Sequence, residues 1–219
     1  MIDQKRPYRK KRRAELEQAT RRRITESAVE LHGTLGPSRT SLSAVAERAG
    51  VRRSTLYRHF PDEAALFTAC SARWMADNAP PDLGRWAAHE DPDERLRAAL
   101  GELYAYYRRT ERMLENILRD EQTMPIVKQL FGAFRGYIAT AHETLMAGRN
   151  AHGDARRRVL VATGHALAFT TWRSLARDQG LDDPRAADLM CRLVAAAPGG
   201  PDEGRAVRRR TGPAARPHV

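Results

Sequence analysis

Two cysteines in 219 residues, Cys70 and Cys191, are too few for a disulfide framework. Both stand on apolar helical stretches, where a buried structural thiol is the default. No apolar run is long enough to cross a bilayer, and the cationic N-terminus has no apolar region behind it, so the expectation is a cytoplasmic protein with no membrane partner. A glycine-rich phosphate loop, zinc-ligand spacing and a nucleophile elbow are all missing. The seven histidines are scattered, and the spacing of His142 and His152 fits no metal site. No enzyme, no metal and no cofactor is therefore expected. Beyond residue 78 nothing alternates with period two, and no internal repeat occurs, which leaves a succession of helices.

Acidic charge is also in short supply. Thirty-eight Lys and Arg face twenty-seven Asp and Glu, a net charge of +11. The excess is concentrated at the two ends. Residues 1–23 hold ten Lys/Arg against Asp3, Glu15 and Glu17, and residues 198–219 hold five Arg against Asp202 and Glu203. A basic N-terminal arm can neutralise backbone phosphates in a salt-sensitive way, a role open to Lys5, Arg6, Arg9, Lys10, Lys11, Arg12 and Arg13. The C-terminal stretch RAVRRRTGPAARPHV, rich in Pro, Gly and Arg, reads as a disordered tail.

The most specific stretch is SLSAVAERAGVRRSTLYRHF, residues 41–60. Ser41 is a good N-cap, and Leu42, Val45, Ala46 and Ala49 give one apolar helical face. Gly50 suits a left-handed turn, and Val51 can fill the angle between two helices. A second short helix, Arg52 to His59, carries polar and cationic residues around a single apolar anchor, Leu56. Pro61 forces Phe60 out of helical geometry and closes the unit. Two helices with a Gly-containing turn form a helix-turn-helix, whose second helix enters the major groove. No acid stands between Val51 and Phe60, and the side chains suit DNA: Arg52, Arg53, Ser54 and Thr55 for base edges with Ser43 near by, Thr40, Ser41, Tyr57, Arg58 and His59 for phosphates.

Around that unit, Ile24, Ala28, Leu31 and Leu35 repeat at helical spacing, and Asp62 caps a helix with Leu66, Phe67 and Cys70 as core residues. The whole run from Arg22 to about Met75, with AERAGVRRSTLYRHFPDEAALF at its centre, resembles the N-terminal DNA-binding domain of the TetR family of transcriptional repressors. The later segment GHALAFTTWRSLARDQGLDDPRAADLM resembles the dimer-forming end of many members. Two positions depart from the family pattern. Glu63 stands where a phosphate-clamping lysine is common, and Ser54 replaces a frequent glycine.

The rest of the chain reads as helices. Pro80, Pro81 and Gly84 mark a linker that Trp86 can anchor. Asp91-Pro92-Asp93-Glu94 starts a helix with Leu96, Leu100, Leu103 and Tyr107 in its stripe, followed by a separate short segment, ERMLENILRDEQT. Pro125 opens another helix, Asp154 a long one to Gln179, and Asp183-Pro184 the last, to about Ala197. Those last two helices are apolar on more than one face, with Leu160, Leu167, Leu189 and Leu193 among the stripes. Such helices need burial on two sides, which a four-helix dimer interface supplies.

The sequence therefore predicts an all-α fold: an N-terminal three-helix helix-turn-helix DNA-binding domain and a C-terminal helical ligand-binding and dimerisation domain. The boundaries expected are 1–18 for the basic arm, 19–78 for the DNA-binding domain, 79–197 for the second domain and 198–219 for the tail. The resemblance implies a homodimer on a double-stranded DNA operator and a small-molecule inducer held among the C-terminal helices. Tyr104, Tyr107, Met113, Phe131, Phe134, Tyr137, His165, Phe169 and Trp172 are the candidates to line that ligand site. With no acid at its centre, a neutral or weakly polar, partly aromatic ligand is expected. Two alternatives stand beside this reading, a ligand-independent regulator and a nonspecific DNA-coating protein that uses the arm.

Overall fold

The computed structural model describes residues 5–199, with side chains from Tyr8 onward, and among these residues every regular element is helical. All but the first two residues of the expected C-terminal tail, and the side chains of Lys5 and Arg6, lie outside the description.

Helix α1 runs unbroken from Lys5 to Thr34, 30 residues or about 45 Å at 1.5 Å per residue. Its second half carries Ile24 and Ala28, both fully buried, whereas residues 8–19 are exposed. The basic stretch thus continues the first helix of the head. Leu35, the last member of the apolar repeat, falls beyond the helix and is 45% exposed. A 3-10 turn at Pro37–Arg39 leads into α2 (Leu42–Arg48), α3 (Arg53–His59) and α4 (Glu63–Asp77). Leu66 and Cys70 of α4 close on Ile24, Ala28, Val45, Ala46, Leu56 and Phe60 to make one apolar core.

The chain divides into two compact units. The first comprises residues up to 81 together with 106–138; the second comprises 82–105 and 139 onward. Short α5 (Leu83–Ala87) precedes α6, which spans Pro92–Asp120 and supplies residues to both units. The expected separate segment ERMLENILRDEQT is in fact the end of α6, because no proline or glycine interrupts the chain between Gly101 and Asp120. Asp91 starts the helix by accepting hydrogen bonds from Asp93 N and Glu94 N at 2.6 and 3.1 Å. Trp86 is fully buried and its Nε1 donates to Glu102 Oε2 at 3.2 Å, so the expected anchor has a partner.

The helix opened by Pro125 is divided at Phe131 into α7 (Pro125–Leu130) and α8 (Gly132–Met146). A larger correction concerns the long helix expected from Asp154 to Gln179. It is three pieces: α9 (Gly153–Leu167), α10 (Phe169–Arg173) and a π turn at Ser174–Asp178. Ala168 is extended (ψ 134°), and its carbonyl accepts from Thr171 N and Trp172 N to start the new helix. The break sets Phe169 and Trp172 together in the second unit, ring centroids 5.5 Å apart, with Trp172 Nε1 donating to Asp183 Oδ1 at 2.9 Å. Tertiary packing of two large rings outweighs the helical periodicity here, and periodicity alone carries no sign of it. Helix α11 runs Asp183–Ala196, with Asp182 rather than Asp183 as the cap.

Candidate nucleic-acid interface

The helix-turn-helix is built by local chemistry. Ser41 Oγ accepts from Ala44 N at 3.1 Å and starts α2. At its end Gly50 adopts φ 63°, and two hydrogen bonds close the turn: Gly50 N to Glu47 O at 3.0 Å and Val51 N to Ala46 O at 2.9 Å. This pair is the Schellman closure, which needs a left-handed residue at the position Gly50 fills. Arg52 caps α3 in extended backbone. Leu56 is fully buried and fixes the helix by its apolar side, while Phe60, extended at φ −136°, is buried beneath it. Asp62 Oδ1 then caps α4 through Ala65 N at 2.7 Å.

The opposite side of α3 faces outward. Arg52, Arg53, Ser54, Tyr57 and Arg58 are exposed, Thr55 and His59 half-buried. Arg53 Nη2 donates to Tyr57 Oη at 3.0 Å, and its guanidinium lies over the Tyr57 ring at 5.5 Å, so the two side chains share one face. Ser43 is exposed on α2. Thr40 differs from the rest: it is buried and its hydroxyl donates to Gly36 O at 2.8 Å. Its role in the free protein is to close the turn before α2. Glu63 is exposed in the first turn of α4, where a negative charge complements the helix dipole.

Arg21 is a member of the site that composition alone does not single out. Its guanidinium sits 4.0 Å from the centre of the Phe60 ring and donates to the His59 carbonyl, so the exposed basic part of α1 is tied to the end of α3. The His59 imidazole is held below its usual pKa by burial, with Arg58 and Arg21 adding to the effect. These neighbours favour the neutral imidazole, with Glu17 opposing. A neutral imidazole gives a phosphate contact only as a hydrogen-bond donor.

The nine ligand candidates do not form one group. Met113, Phe131 and Phe134 line a cavity of about 320 Å³ inside the first unit. Tyr107 is buried, and Tyr137 Oη donates to Pro81 O at 2.9 Å; both belong to that unit without lining the cavity. Tyr104, His165, Phe169 and Trp172 belong to the second unit. There Tyr104 Oη donates to Ala166 O at 2.9 Å, and His165 is exposed within 3.3 Å of the Thr171 hydroxyl. Cavity residues not foreseen are Val29 and His32 of α1 and Phe67 and Trp74 of α4. Phe67 reads from the sequence as core of the DNA-binding domain, and only the packing of α6 to α8 against these four residues opens a space.

Residues 24–70 match the family model described as bacterial regulatory proteins, tetR family. The N-terminal domain belongs to the TetR family. The match covers the end of α1, the helix-turn-helix and half of α4. Over 51 residues the chain is 43% identical to the HTH-type transcriptional regulator AcrR of Shigella flexneri, which is 23% of this chain and about a quarter (24%) of that protein's length. Among solved structures, a TetR-like transcriptional regulator from Rhodococcus sp. RHA1 superposes with a TM-score of 0.60 at 18% identity, covering 81% of this chain and 94% of that one. The fatty acid degradation regulator FadR from Bacillus halodurans gives a TM-score of 0.52 at 16% identity over 78% and 96%. At such identities these likenesses establish the fold and nothing finer.

Proposed function

We propose that the chain is a sequence-specific DNA-binding transcriptional regulator, acting as a homodimeric repressor in the cytoplasm that a small-molecule ligand releases from a palindromic operator. The observation that carries this reading is the outer face of α3, where Arg52, Arg53, Ser54, Tyr57 and Arg58 stand exposed without an acid on a helix fixed by the Gly50 turn and the Leu56 anchor. Arg53 and Ser54 lie in its first turn, the part of a recognition helix that meets base edges. Bidentate Arg–guanine pairing discriminates against a wrong base by roughly 1–3 kcal/mol.

Dimerisation is supported by the second unit. Leu160, Val161, Leu189 and Leu193 are 42%, 61%, 38% and 51% exposed, on α9 and α11. A twofold dimer would set two α3 helices roughly 34–36 Å apart, one turn of DNA, and so call for a palindrome. Release by ligand requires differential affinity: shifting the bound population from 99:1 to 1:99 takes about 5.5 kcal/mol, which only a well-buried ligand delivers.

A second reading has its own support. The exposed basic helix from Arg9 to Arg13 could coat DNA without reading sequence. Selection of bound DNA from a random pool, at about 150 mM salt and with residues 1–13 present or removed, separates the two. A palindrome recovered in both cases supports the sequence-reading dimer. Loss of all binding with the arm, and no enriched motif before its loss, would leave DNA coating as the function.

A further inference from the structure

The cavity of the first unit is unlike a generic core void. None of its lining residues carries a formal charge, and its walls come from α1 and α4 as well as from α6, α7 and α8. Trp74, Met113, Phe131 and Phe134 make those walls apolar. The Cys70 thiol faces a backbone carbonyl, Thr25 O at 3.8 Å, and burial pushes it up to about 12, so it stays protonated and offers no nucleophile.

His32 is the exception in this apolar wall. It is 6% exposed and its ring lies flat on Phe67, centroids 4.8 Å apart at 9°. Among the described residues its ring nitrogens form no hydrogen bond, while its backbone carbonyl accepts from Asn116 Nδ2 at 3.0 Å. Burial holds the imidazole down to about 4, against the opposing pull of Asp120, so at neutral pH it is an uncharged group with one donor and one acceptor. The ring therefore offers hydrogen-bonding capacity on the cavity wall that no neighbouring side chain among the described residues takes up. A ligand atom in the cavity can meet it.

We propose that this cavity binds an uncharged lipophilic molecule carrying one hydrogen-bonding oxygen, with His32 meeting the oxygen and Phe67, Trp74 and Phe134 enclosing the apolar body. A carboxylate or an ammonium ion is excluded, because no opposite charge lines the cavity and an unpaired buried ion is strongly disfavoured. The site rests on the ligand-responsive reading of the protein and adds a route for the response. His32 lies in the last turn of α1, and α6 fastens that end of the helix. Asn116 Nδ2 bonds to the His32 and Gly33 carbonyls, Arg119 Nη2 to Leu35 O at 3.1 Å, and Asp120 Oδ2 accepts from Ser38 N at 2.9 Å. The segment so held leads directly into α2 of the helix-turn-helix. A ligand that displaces His32 therefore loads the helix-turn-helix from its own first helix.

The test uses the full chain and a matched set of probes, 2-naphthol, naphthalene and 2-naphthoate, with binding read by calorimetry and by thermal shift at pH 7.5. The expected result is binding of naphthol ahead of naphthalene, and none of naphthoate. His32→Phe keeps the ring stack and should weaken naphthol roughly five- to ten-fold while leaving naphthalene unchanged, the loss of one hydrogen bond. Ala133→Trp, at an exposed position on the cavity wall, should abolish both without unfolding the protein. No binding by any probe, naphthoate binding as tightly as naphthol, or indifference to both substitutions would overturn the proposal. Anisotropy on DNA recovered from the random pool separates the layers. Lowered DNA affinity with naphthol supports the route through α1, and unchanged affinity despite binding overturns it. Failure to recover any DNA motif would count against the regulator reading, while the probe results still decide the site.

Discussion

Replacing Gly36 by alanine should destabilise the first unit more than any other glycine-to-alanine change in it. Gly36 has φ 96° and ψ 155°, a region of backbone space open essentially to glycine alone. Forcing a Cβ into that conformation costs roughly 1–3 kcal/mol. The new atom would also stand 2.0 Å from Arg119 Nη2 and 2.7 Å from Asp120 Oδ2. Arg119 can swing away, but doing so breaks its bonds to Leu35 O and Asp120 and leaves the Asp120 carboxylate, 2% exposed, with the backbone and side chain of Ser38 as its partners. Weakening a buried charge-assisted contact adds roughly 1.5–3 kcal/mol. The total, roughly 2.5–6 kcal/mol, is a large fraction of the 5–15 kcal/mol typical of a domain. Two controls separate the causes. Gly50→Ala meets no neighbour within 4 Å and carries only the strain of φ 63°, roughly 1–2 kcal/mol. Gly101→Ala, exposed within α6 and also unobstructed, should stabilise by about 0.5–1 kcal/mol. Urea denaturation followed by far-UV circular dichroism measures all three. Equal midpoints for Gly36→Ala and Gly50→Ala would refute the argument that α6 is closed against the turn before α2.

Stability should fall with acid through His32. Its folded pKa, about 4, lies below the usual 6.5, so between those values the unfolded chain binds the extra proton. The contribution is whole above pH 6.5 and is lost as pH falls towards 4, at most about 3 kcal/mol by linkage. His32→Phe should flatten that part of the pH–stability curve, and an unchanged slope would contradict the assignment. Glu63→Lys should raise DNA affinity and steepen the salt dependence by about one phosphate contact, at a stability cost of roughly 0.3–1 kcal/mol from the helix dipole; electrophoretic mobility shifts at several salt concentrations read both. Leu193→Glu, on the exposed apolar side of α11, should halve the mass seen by sedimentation and remove operator binding, whereas an unaltered dimer would move the interface elsewhere.

The helix-turn-helix was legible because each of its boundaries has a local cause: a capping serine, a left-handed glycine, a proline after Phe60 and a capping aspartate. The same holds for Asp91 at the start of α6. Boundaries set by distant contacts were not legible. Nothing in the sequence around Ala168 announces a break, since the reason lies in how Phe169 and Trp172 pack and in the bond to Asp183. The continuity of α6 was hidden by polar residues that read as a surface segment, although Asn116 and Asp120 are buried where they bond α1 and Ser38. The cavity was missed for a similar reason. An aromatic stripe identifies residues that go inside, but it does not identify which of them face a gap. Val29, His32 and Phe67 differ from ordinary core residues only by what stands opposite them.

The measurement that bears most directly on α3 as the reader of DNA sequence is selection from one random pool, run side by side with the wild-type protein and Arg53→Ala. The account predicts a palindrome for the wild type, and for the variant the same palindrome with one base pair in each half-site no longer specified and affinity lower by roughly 1–3 kcal/mol. An identical motif from both proteins, with affinity lost equally on every sequence, would make Arg53 a backbone contact and contradict the account.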